Sequence, residues 1–256
     1  MIKLLKKIFW FPFSKKEDIE IYQSRIRDFE WNAFKNFIPK NSRFLDVGCG
    51  AGNNLHKAKT ELGCDVIGID PSPGAHGVGR FSDSSNSDVS IIQGVAEQIP
   101  FENDSFDTVF CSHVLEHVQN EKLCLSEIDR VLKKDGVLII GMPTATMSLI
   151  AIFSHYFFTT HVNLMFLIKK TGTNEFKKSL FHFLIPTSHS TPNQQFIFYD
   201  LKKYKISSWK KVVSNQFEIV SELTPCLYPY PDFIQWFPLM KTGRFSSSVF
   251  FVCKKK

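Results

Sequence analysis

The sequence predicts an α/β fold built around one doubly wound sheet of seven strands. Short apolar runs that end in glycine or in an acid alternate with stretches of helical periodicity, which is the pattern of parallel strands joined by helices. Two further strand-like runs follow a late helical stretch near the end of the chain. With 256 residues, the chain is long enough for one such core plus an elaborated end.

The elements are predicted in order along the chain. Apolar residues at helical spacing predict a helix over 19–37, and further helices are expected from about Asn54, over 122–132 and over 208–215. The predicted strands span residues 44–47, 66–70, 89–93, 104–111, 136–142, 217–223 and 249–253. Asp135-Gly136 is expected to be the turn that leads into the fifth strand.

A glycine-rich loop follows the first predicted strand. Residues 46–52 read Asp-Val-Gly-Cys-Gly-Ala-Gly. Glycine permits positive φ and close approach of the backbone to a ligand, and the next helix directs free N–H groups to the same place. The segment therefore predicts a nucleotide-like ligand above Gly48–Gly52, although a plain strand-to-helix turn has the same spelling.

The second predicted strand ends in Asp70, which lies 24 residues after Asp46. This is close to the spacing of roughly 20 residues at which an acid receives the ribose hydroxyls of a nucleotide. A carboxylate suits a diol because it is purely an acceptor. The alternative is an acid that caps the next helix, but Pro71-Ser72-Pro73-Gly74 is a poor helix start.

Three later segments resemble the sequence motifs of a known family, and this resemblance indicates which ligand is bound. They read Gly-Val-Ala-Glu-Gln-Ile-Pro-Phe over 94–101, Asp-Ser-Phe-Asp-Thr-Val over 104–109 and His-Val-Leu-Glu-His-Val over 113–118. Together with the glycine loop, their order and spacing resemble those of the class I, Rossmann-like S-adenosylmethionine (SAM) methyltransferases that act on small molecules. The resemblance covers residues 40–142 well and the last fifty residues in outline.

The resemblance implies SAM as the cofactor and assigns its contacts. Asp46 would meet the methionine amino group, and the glycine loop would pass beneath methionine and ribose. Asp70 would receive the ribose hydroxyls. The remaining implied contacts are Gly48, Cys49, Gly50 and Gly52 in the loop, Val95, Ala96 and Glu97 beside adenine, and Cys111, Ser112 and His113 beside methionine. Val95 departs from the family, in which an Asp or Asn often meets the adenine amino group.

His113 is the first candidate for a catalytic base, and His189 is the second, because an imidazole titrates near neutral pH. Either histidine could instead be a structural polar residue. His113, Glu116 and His117 also spell the H-x-x-E-H of inverted zinc proteases, but the segment directly follows a strand rather than lying on a helix. We predict no metal site, while a divalent ion held by Glu116 and His117 stays open.

Charge is segregated along the chain. Residues 1–16 carry a net charge of +5, residues 17–142 carry −8 and residues 143–256 carry +9, within a total of +6. The six cysteines have no paired spacing, and no secretory signal is evident, so reduced cysteines and a cytoplasmic location are expected. We therefore divide the chain into a basic N-terminal segment 1–16, a SAM-binding core 17–142, an insertion 143–205, and a C-terminal helix and hairpin 206–256.

The insertion contains the apolar stretch 145–168, which has no charged residue. Its length would suffice for a membrane span, but polar residues near its middle argue against one. We expect an apolar helical lid after the fifth strand or a segment at the membrane surface. The amphipathic basic segment 1–16 would support contact at the inner face of a membrane, although a helix docked on the core is equally compatible.

These observations predict a SAM-dependent methyltransferase. The expected acceptor is a hydroxyl of an amphiphilic or lipid-linked small molecule, such as a glycan-lipid intermediate or a quinone precursor. The alternatives are a soluble small-molecule methyltransferase with a simple lid, and a non-catalytic SAM-binding or membrane-recruiting module. A nicotinamide oxidoreductase is disfavoured by the glycine spacing, and no nucleic-acid partner is expected because the apolar stretch suits a groove poorly.

Overall fold

The computed structural model of the chain describes residues 16–78, 88–157, 164, 167–184, 197–228, 239–241, 243 and 245–256. The predicted base His189 and residues 1–15 of the basic N-terminal segment lie outside these ranges. So do residues 79–87 of the loop after the second strand and parts of the apolar stretch 145–168.

Seven strands of the described chain form one mixed sheet, as the sequence predicts. The strands are β1 Arg43–Val47, β2 Asp65–Asp70, β3 Ser90–Gln93, β4 Phe106–Ser112, β5 Leu132–Pro143, β6 Phe217–Leu223 and β7 Ser248–Lys255. Their spatial order is β3-β2-β1-β4-β5-β7-β6. The first five strands run parallel, and β7 inserts antiparallel between β5 and β6.

Helices cover both faces of this sheet. They are α1 Lys16–Phe34, α2 Asn53–Leu62, α3 Glu121–Val131, α4 Ala145–Phe157, α5 Phe176–Leu184, α6 Ile197–Lys203 and α7 Ile206–Ser214. A short 3₁₀ turn, Lys35–Phe37, follows α1. Alternating apolar side chains of the strands divide the buried core into two clusters, one with Leu45 and Val109 and the other with Phe44 and Phe110.

The beginning of the fifth strand differs from the prediction. Asp135-Gly136 is not a turn before β5 but lies inside it, since β5 begins at Leu132. Leu132 pairs with Phe106, whereas Val137 already pairs with Thr108, so the extra residues between them form an irregularity in the strand. A local sequence pattern cannot distinguish such a bulge from a turn, because both use the same residues.

The topology fixes where a ligand can bind. From β1 the chain moves outward to β2 and β3, and then returns to the other side of β1 to form β4 and β5. The crevice at the carboxyl ends of β1 and β4 is therefore the switch point of the sheet, where open α/β sheets hold their ligands. The glycine loop and His113 both lie at this edge.

Within the described part of the chain, no helix combines the length and the hydropathy needed to cross a membrane. The insertion contributes α4, α5 and α6 to this part, and α4 packs against α6.

Candidate functional site

A cavity of about 510 Å³ opens at the switch point. The glycine loop, the ends of β2 and β4, the segments that follow them, and α1 all contribute residues to its lining. Its lining residues are Arg27, Asp46, Gly48, Cys49, Gly50, Asn53, Asn54, Asp70, Pro71, His76, Gly77, Val78, Phe110, Ser112, His113, Val114 and His117. The structure thus brings together residues that lie up to 90 positions apart.

The glycine loop needs its glycines at specific points. Gly48, Gly50 and Gly52 all have positive φ, between 55° and 83°. A Cβ on Gly48 would lie 2.2 Å from a methyl group of Val114, and one on Gly50 would lie 2.5 Å from the carbonyl oxygen of His76. Side chains at these two positions would collide with their neighbours and strain the backbone. We call the loop Gly48–Gly52 the glycine cradle.

The segment after β2 folds back onto the same loop. Ala51 donates its N–H to the carbonyl of His76 (3.1 Å), and Gly74 donates to the carbonyl of Gly50 (3.1 Å). No helix forms over residues 71–78, in agreement with the poor helix start seen in the sequence. His76, Gly77 and Val78 consequently become part of the cavity wall, which sequence patterns did not indicate.

Asp70 organises the loop from the end of β2. Its Oδ2 accepts the N–H of Gly50 (2.8 Å), and its Oδ1 accepts the N–H of Ser72 (2.8 Å). Each carboxylate oxygen has two acceptor positions, so both still have capacity for a ligand hydroxyl. Asp70 therefore holds the cradle and also faces the cavity.

Asp46 is a buried acid at the centre of the candidate site. It is 2% exposed at the end of β1, and its Oδ2 is buried without a hydrogen-bond partner among the described residues. Burial, followed by the negative charge of Asp70, raises the pKa of Asp46 to about 8. A ligand cation beside this carboxylate would supply the missing partner.

A chain of ionisable groups borders the opposite wall. His113 Nδ1 lies 3.4 Å from Glu116 Oε1, and His113 Nε2 lies 3.9 Å from Glu30 Oε1. His117 Nε2 lies 3.9 Å from the same Glu116 oxygen. Burial lowers the pKa of His113, but the two neighbouring carboxylates outweigh it, and the net shift is upward. His113 has a positive φ of 56°, an uncommon conformation for histidine.

Arg27 is a residue of the site that sequence patterns did not reveal. It lies on α1, lines the cavity and forms an ion pair with Glu30. A signal was nevertheless present, because Glu30 continues the buried series Tyr22 and Ile26 at intervals of four. An acid at an apolar position of a core-facing helix indicates a polar partner inside.

A second cavity, of about 420 Å³, adjoins the first and shares residues such as Gly48, Val114 and His117 with it. It also contains Val95, Ala96 and Glu97, which the resemblance places beside adenine. Val95 is 45% exposed and presents an apolar surface. The Glu97 carboxylate accepts the N–H of Gln119 (3.0 Å), which fixes the rim of this cavity.

Two predicted site residues, Cys111 and Gly52, do not line either cavity. Cys111 is fully buried in the core, while Phe110 and Ser112 on either side of it line the first cavity, as strand alternation requires. Gly52 is the N-cap residue immediately before α2. Across the described ranges, no group of three or more His, Cys, Asp or Glu side chains is arranged to hold a metal ion.

Comparison with known proteins agrees with this geometry. Residues 45–140 match the family described as "Methyltransferase domain". Residues 45–140 form a class I methyltransferase domain. The match begins within β1 and ends within β5, so the methyltransferase domain comprises the five parallel strands and the whole glycine cradle.

Individual relatives share this domain. A ubiquinone biosynthesis O-methyltransferase of Azorhizobium caulinodans is 32% identical over 114 residues, which are 44% of this chain and 45% of the relative. A demethylmenaquinone methyltransferase of Staphylococcus aureus is 36% identical over 105 residues, which are 40% and 43% of the two chains. The similarity therefore spans less than half the length of these curated relatives.

The fold extends beyond the shared domain. The crystal structure of a SAM-dependent methyltransferase from Thermotoga maritima, described as a possible histamine N-methyltransferase, superposes with a TM-score of 0.54. It is 18% identical, and the match covers 92% of both chains. This likeness concerns the fold alone.

Class I methyltransferase domains use SAM as the methyl donor, and the residues present fit it. The methionine part of SAM carries an ammonium group, which can occupy the unfilled oxygen of Asp46. Gly48 and Gly50 line the cavity at positive φ, where a side chain would collide with Val114 or His76. SAM is thus the cofactor of this domain.

Asp46→Asn tests this fit through two opposite effects. The pKa of Asp46 rises from 3.8 to about 8 on folding, so its stability contribution is complete below pH 3.8 and is lost as pH rises towards 8. Removing the charge should therefore raise the melting temperature of the ligand-free protein at pH 7.5. Calorimetry should show that the same change weakens SAM binding about tenfold or more, because the ammonium loses its counter-charge.

Asp65→Asn is the matched control, because that side chain is 84% exposed on β2. It should alter neither quantity noticeably. Unchanged SAM affinity in Asp46→Asn would contradict the role given to Asp46.

Proposed function

We propose that this chain is a SAM-dependent methyltransferase that methylates a hydroxyl of an amphiphilic or lipid-linked small molecule. The observation that carries the proposal is the unfilled carboxylate of Asp46 inside the glycine cradle. Two relatives are quinone-biosynthesis methyltransferases by name, which favours a quinone precursor as the acceptor, and a glycan-lipid intermediate is the second candidate.

Each end of the cofactor has a complementary group. Asp46 would bind the methionine ammonium, and the Arg27 guanidinium, which lines the same cavity, would bind the methionine carboxylate. Asp70 would accept the ribose hydroxyls through its remaining lone pairs. The second cavity, with Val95, Ala96 and Glu97, would take adenine through apolar packing and backbone groups. SAM supplies a methyl group that its sulfonium already activates.

The protein's own task is then alignment and removal of a proton. The acceptor would enter beside His113, at the end of β4, where its hydroxyl can face the methyl group. We propose that neutral His113 receives the hydroxyl proton, while Glu116 and Glu30 stabilise the imidazolium that results. Because these carboxylates raise the pKa of His113, its neutral base form becomes dominant at a higher pH than for an unperturbed histidine. His189 stays a second proposed base.

The insertion offers a route by which an amphiphilic acceptor could reach this site. Its helices expose a set of large apolar side chains that we call the apolar surface. These are Leu149, Phe153 and Tyr156 on α4, Leu180, Phe181 and Leu184 on α5, and Phe198 and Tyr199 on α6. Tyr156 donates its hydroxyl to the carbonyl of Leu184 (2.7 Å), which joins the apolar surface across two helices.

Charge favours an anionic bilayer as the partner of the apolar surface. Residues 143–205 carry seven lysines and two acids. Of the two acids, Asp200 is fully buried and Glu175 pairs with Lys170. Exposed apolar side chains among lysines are typical of segments that lie in the headgroup region of anionic membranes. We propose peripheral contact there, with residues 1–16 as a second contact, at the inner face of the membrane.

A binding and transfer experiment tests the enzymatic proposal. Calorimetric titration should give micromolar binding of SAM and no heat with NAD. Incubation with methyl-labelled SAM and membrane extract should then move the label into a lipid or quinone fraction. Binding of NAD in place of SAM would refute the cofactor assignment. SAM binding without any transfer would favour the non-catalytic binding module, and transfer to a water-soluble acceptor would favour the soluble enzyme.

Vesicle flotation tests the membrane contact. The chain should float with vesicles rich in phosphatidylglycerol and stay behind with phosphatidylcholine. Phe153→Ser combined with Phe198→Ser should reduce its partition about tenfold or more, because two apolar anchors are lost. A chain without residues 1–16 measures the share of that segment.

Val220→Ser is the control for the anchors, since Val220 is 49% exposed on β6, outside the insertion. It should float like the unaltered chain. Equal partition of the double variant, or no flotation of the unaltered chain, would overturn the membrane proposal.

A further inference from the structure

Glu30 is a buried acid whose contacts extend beyond the histidine that it borders in the proposed mechanism. It lies near the end of α1 and is 2% exposed, between the apolar groups that α1 packs on the sheet. The sheet would accept an apolar residue at this position, as it does for Tyr22 and Ile26. Burying a carboxylate is costly, and well-packed apolar replacements of buried ion pairs are often as stable. The fold alone does not account for Glu30.

The contacts of Glu30 come from three separate elements. One oxygen pairs with the Arg27 guanidinium on α1. The other accepts the hydroxyl of Ser248 at the start of β7 (2.7 Å) and lies 3.9 Å from His113 Nε2 at the end of β4. Burial alone would raise the pKa of Glu30, but Arg27, His113 and Ser248 bring it down to about 2. The carboxylate is therefore ionised at every physiological pH.

The two basic side chains that border the Glu30 carboxylate, Arg27 and His113, both line the first cavity. Arg27 lies where the methionine end of the cofactor is proposed, and His113 lies where the acceptor hydroxyl is proposed. The other ring nitrogen of His113, Nδ1, lies 3.4 Å from Glu116 Oε1. The carboxylates of Glu30 and Glu116 thus alternate with the Arg27 guanidinium and the His113 imidazole, and Glu30 is the link between Arg27 and His113.

We propose that Glu30 is a positioning residue that orients Arg27 for the methyl donor and His113 for the acceptor. This inference rests on the proposed methyltransferase function. It makes α1 a part of the active site, although α1 precedes the methyltransferase domain that relatives share. Ser248 adds one hydrogen bond to the Glu30 carboxylate from β7.

Glu30→Gln tests the proposal because it keeps the size of the side chain and removes its charge. S-adenosylhomocysteine, titrated by calorimetry, should bind about tenfold more weakly, as expected when a charge-assisted hydrogen bond that orients Arg27 is lost. NMR titration of labelled histidines should show a lower pKa for His113, because one of its two anionic neighbours has gone.

Two comparisons separate positioning from helix docking. Ser248→Ala removes a hydrogen bond of Glu30 but leaves both cation contacts, and should change affinity less than about twofold. In the background Arg27→Ala, adding Glu30→Gln should weaken S-adenosylhomocysteine binding no further, since Glu30 acts on the donor through Arg27. A purely structural Glu30 would lower the melting temperature in every background, and Glu30→Gln would then weaken S-adenosylhomocysteine binding to the same extent with and without Arg27.

The outcomes are distinct. Affinity and His113 titration equal to those of the unaltered chain in Glu30→Gln would overturn the proposal. If that variant does not fold, Glu30→Asp takes its place. It keeps the charge on a shorter stem and should also weaken binding, and unaltered binding would overturn the proposal as well. Failure of the unaltered chain to bind S-adenosylhomocysteine would count against the methyltransferase function instead.

Discussion

Asp46 imposes the constraint around which the site is arranged. Its carboxylate is held at the end of the buried strand β1, close to Asp70, with one oxygen that no described residue satisfies. The cost of burying it appears as a pKa raised to about 8. A cationic ligand removes this cost, and the methionine ammonium of SAM is such a ligand. In our proposal, Asp46 lowers the folding stability of the ligand-free protein and increases its affinity for SAM.

The sheet topology explains why the other groups converge on the same place. Since β1 and β4 are neighbours at the switch point, the glycine loop after β1 and His113 after β4 face each other across one crevice. Asp70 ends the next strand, β2, and fixes the cradle through two backbone N–H groups. In our proposal, the parallel half of the sheet forms most of the donor site, α1 contributes Arg27 and Glu30, and the insertion provides the route of the acceptor.

Sequence reasoning located the parts of the site that depend on local pattern. Gly48 and Gly50 were predictable because glycine readily adopts a positive φ, Asp46 because an acid interrupts an apolar strand run before the glycines, and Asp70 because it ends such a run. Arg27 and Glu30 escaped prediction because the cavity and the other contacts of Glu30 come from distant parts of the chain. Glu30 meets Ser248 across 218 positions, a contact that only the packing of α1 on the antiparallel edge creates. The early start of β5 was missed for a local reason, since a bulge and a turn share residue types.

The central claim, that Asp46 and the glycine cradle form a SAM site, is tested most directly by a crystal structure of the chain with S-adenosylhomocysteine. We expect the amino group of the ligand to lie within hydrogen-bond distance of Asp46 Oδ2. Its ribose hydroxyls should donate to the Asp70 carboxylate, and its sulfur should face His113. A ligand seated elsewhere, or one whose amino group avoids Asp46, would contradict it.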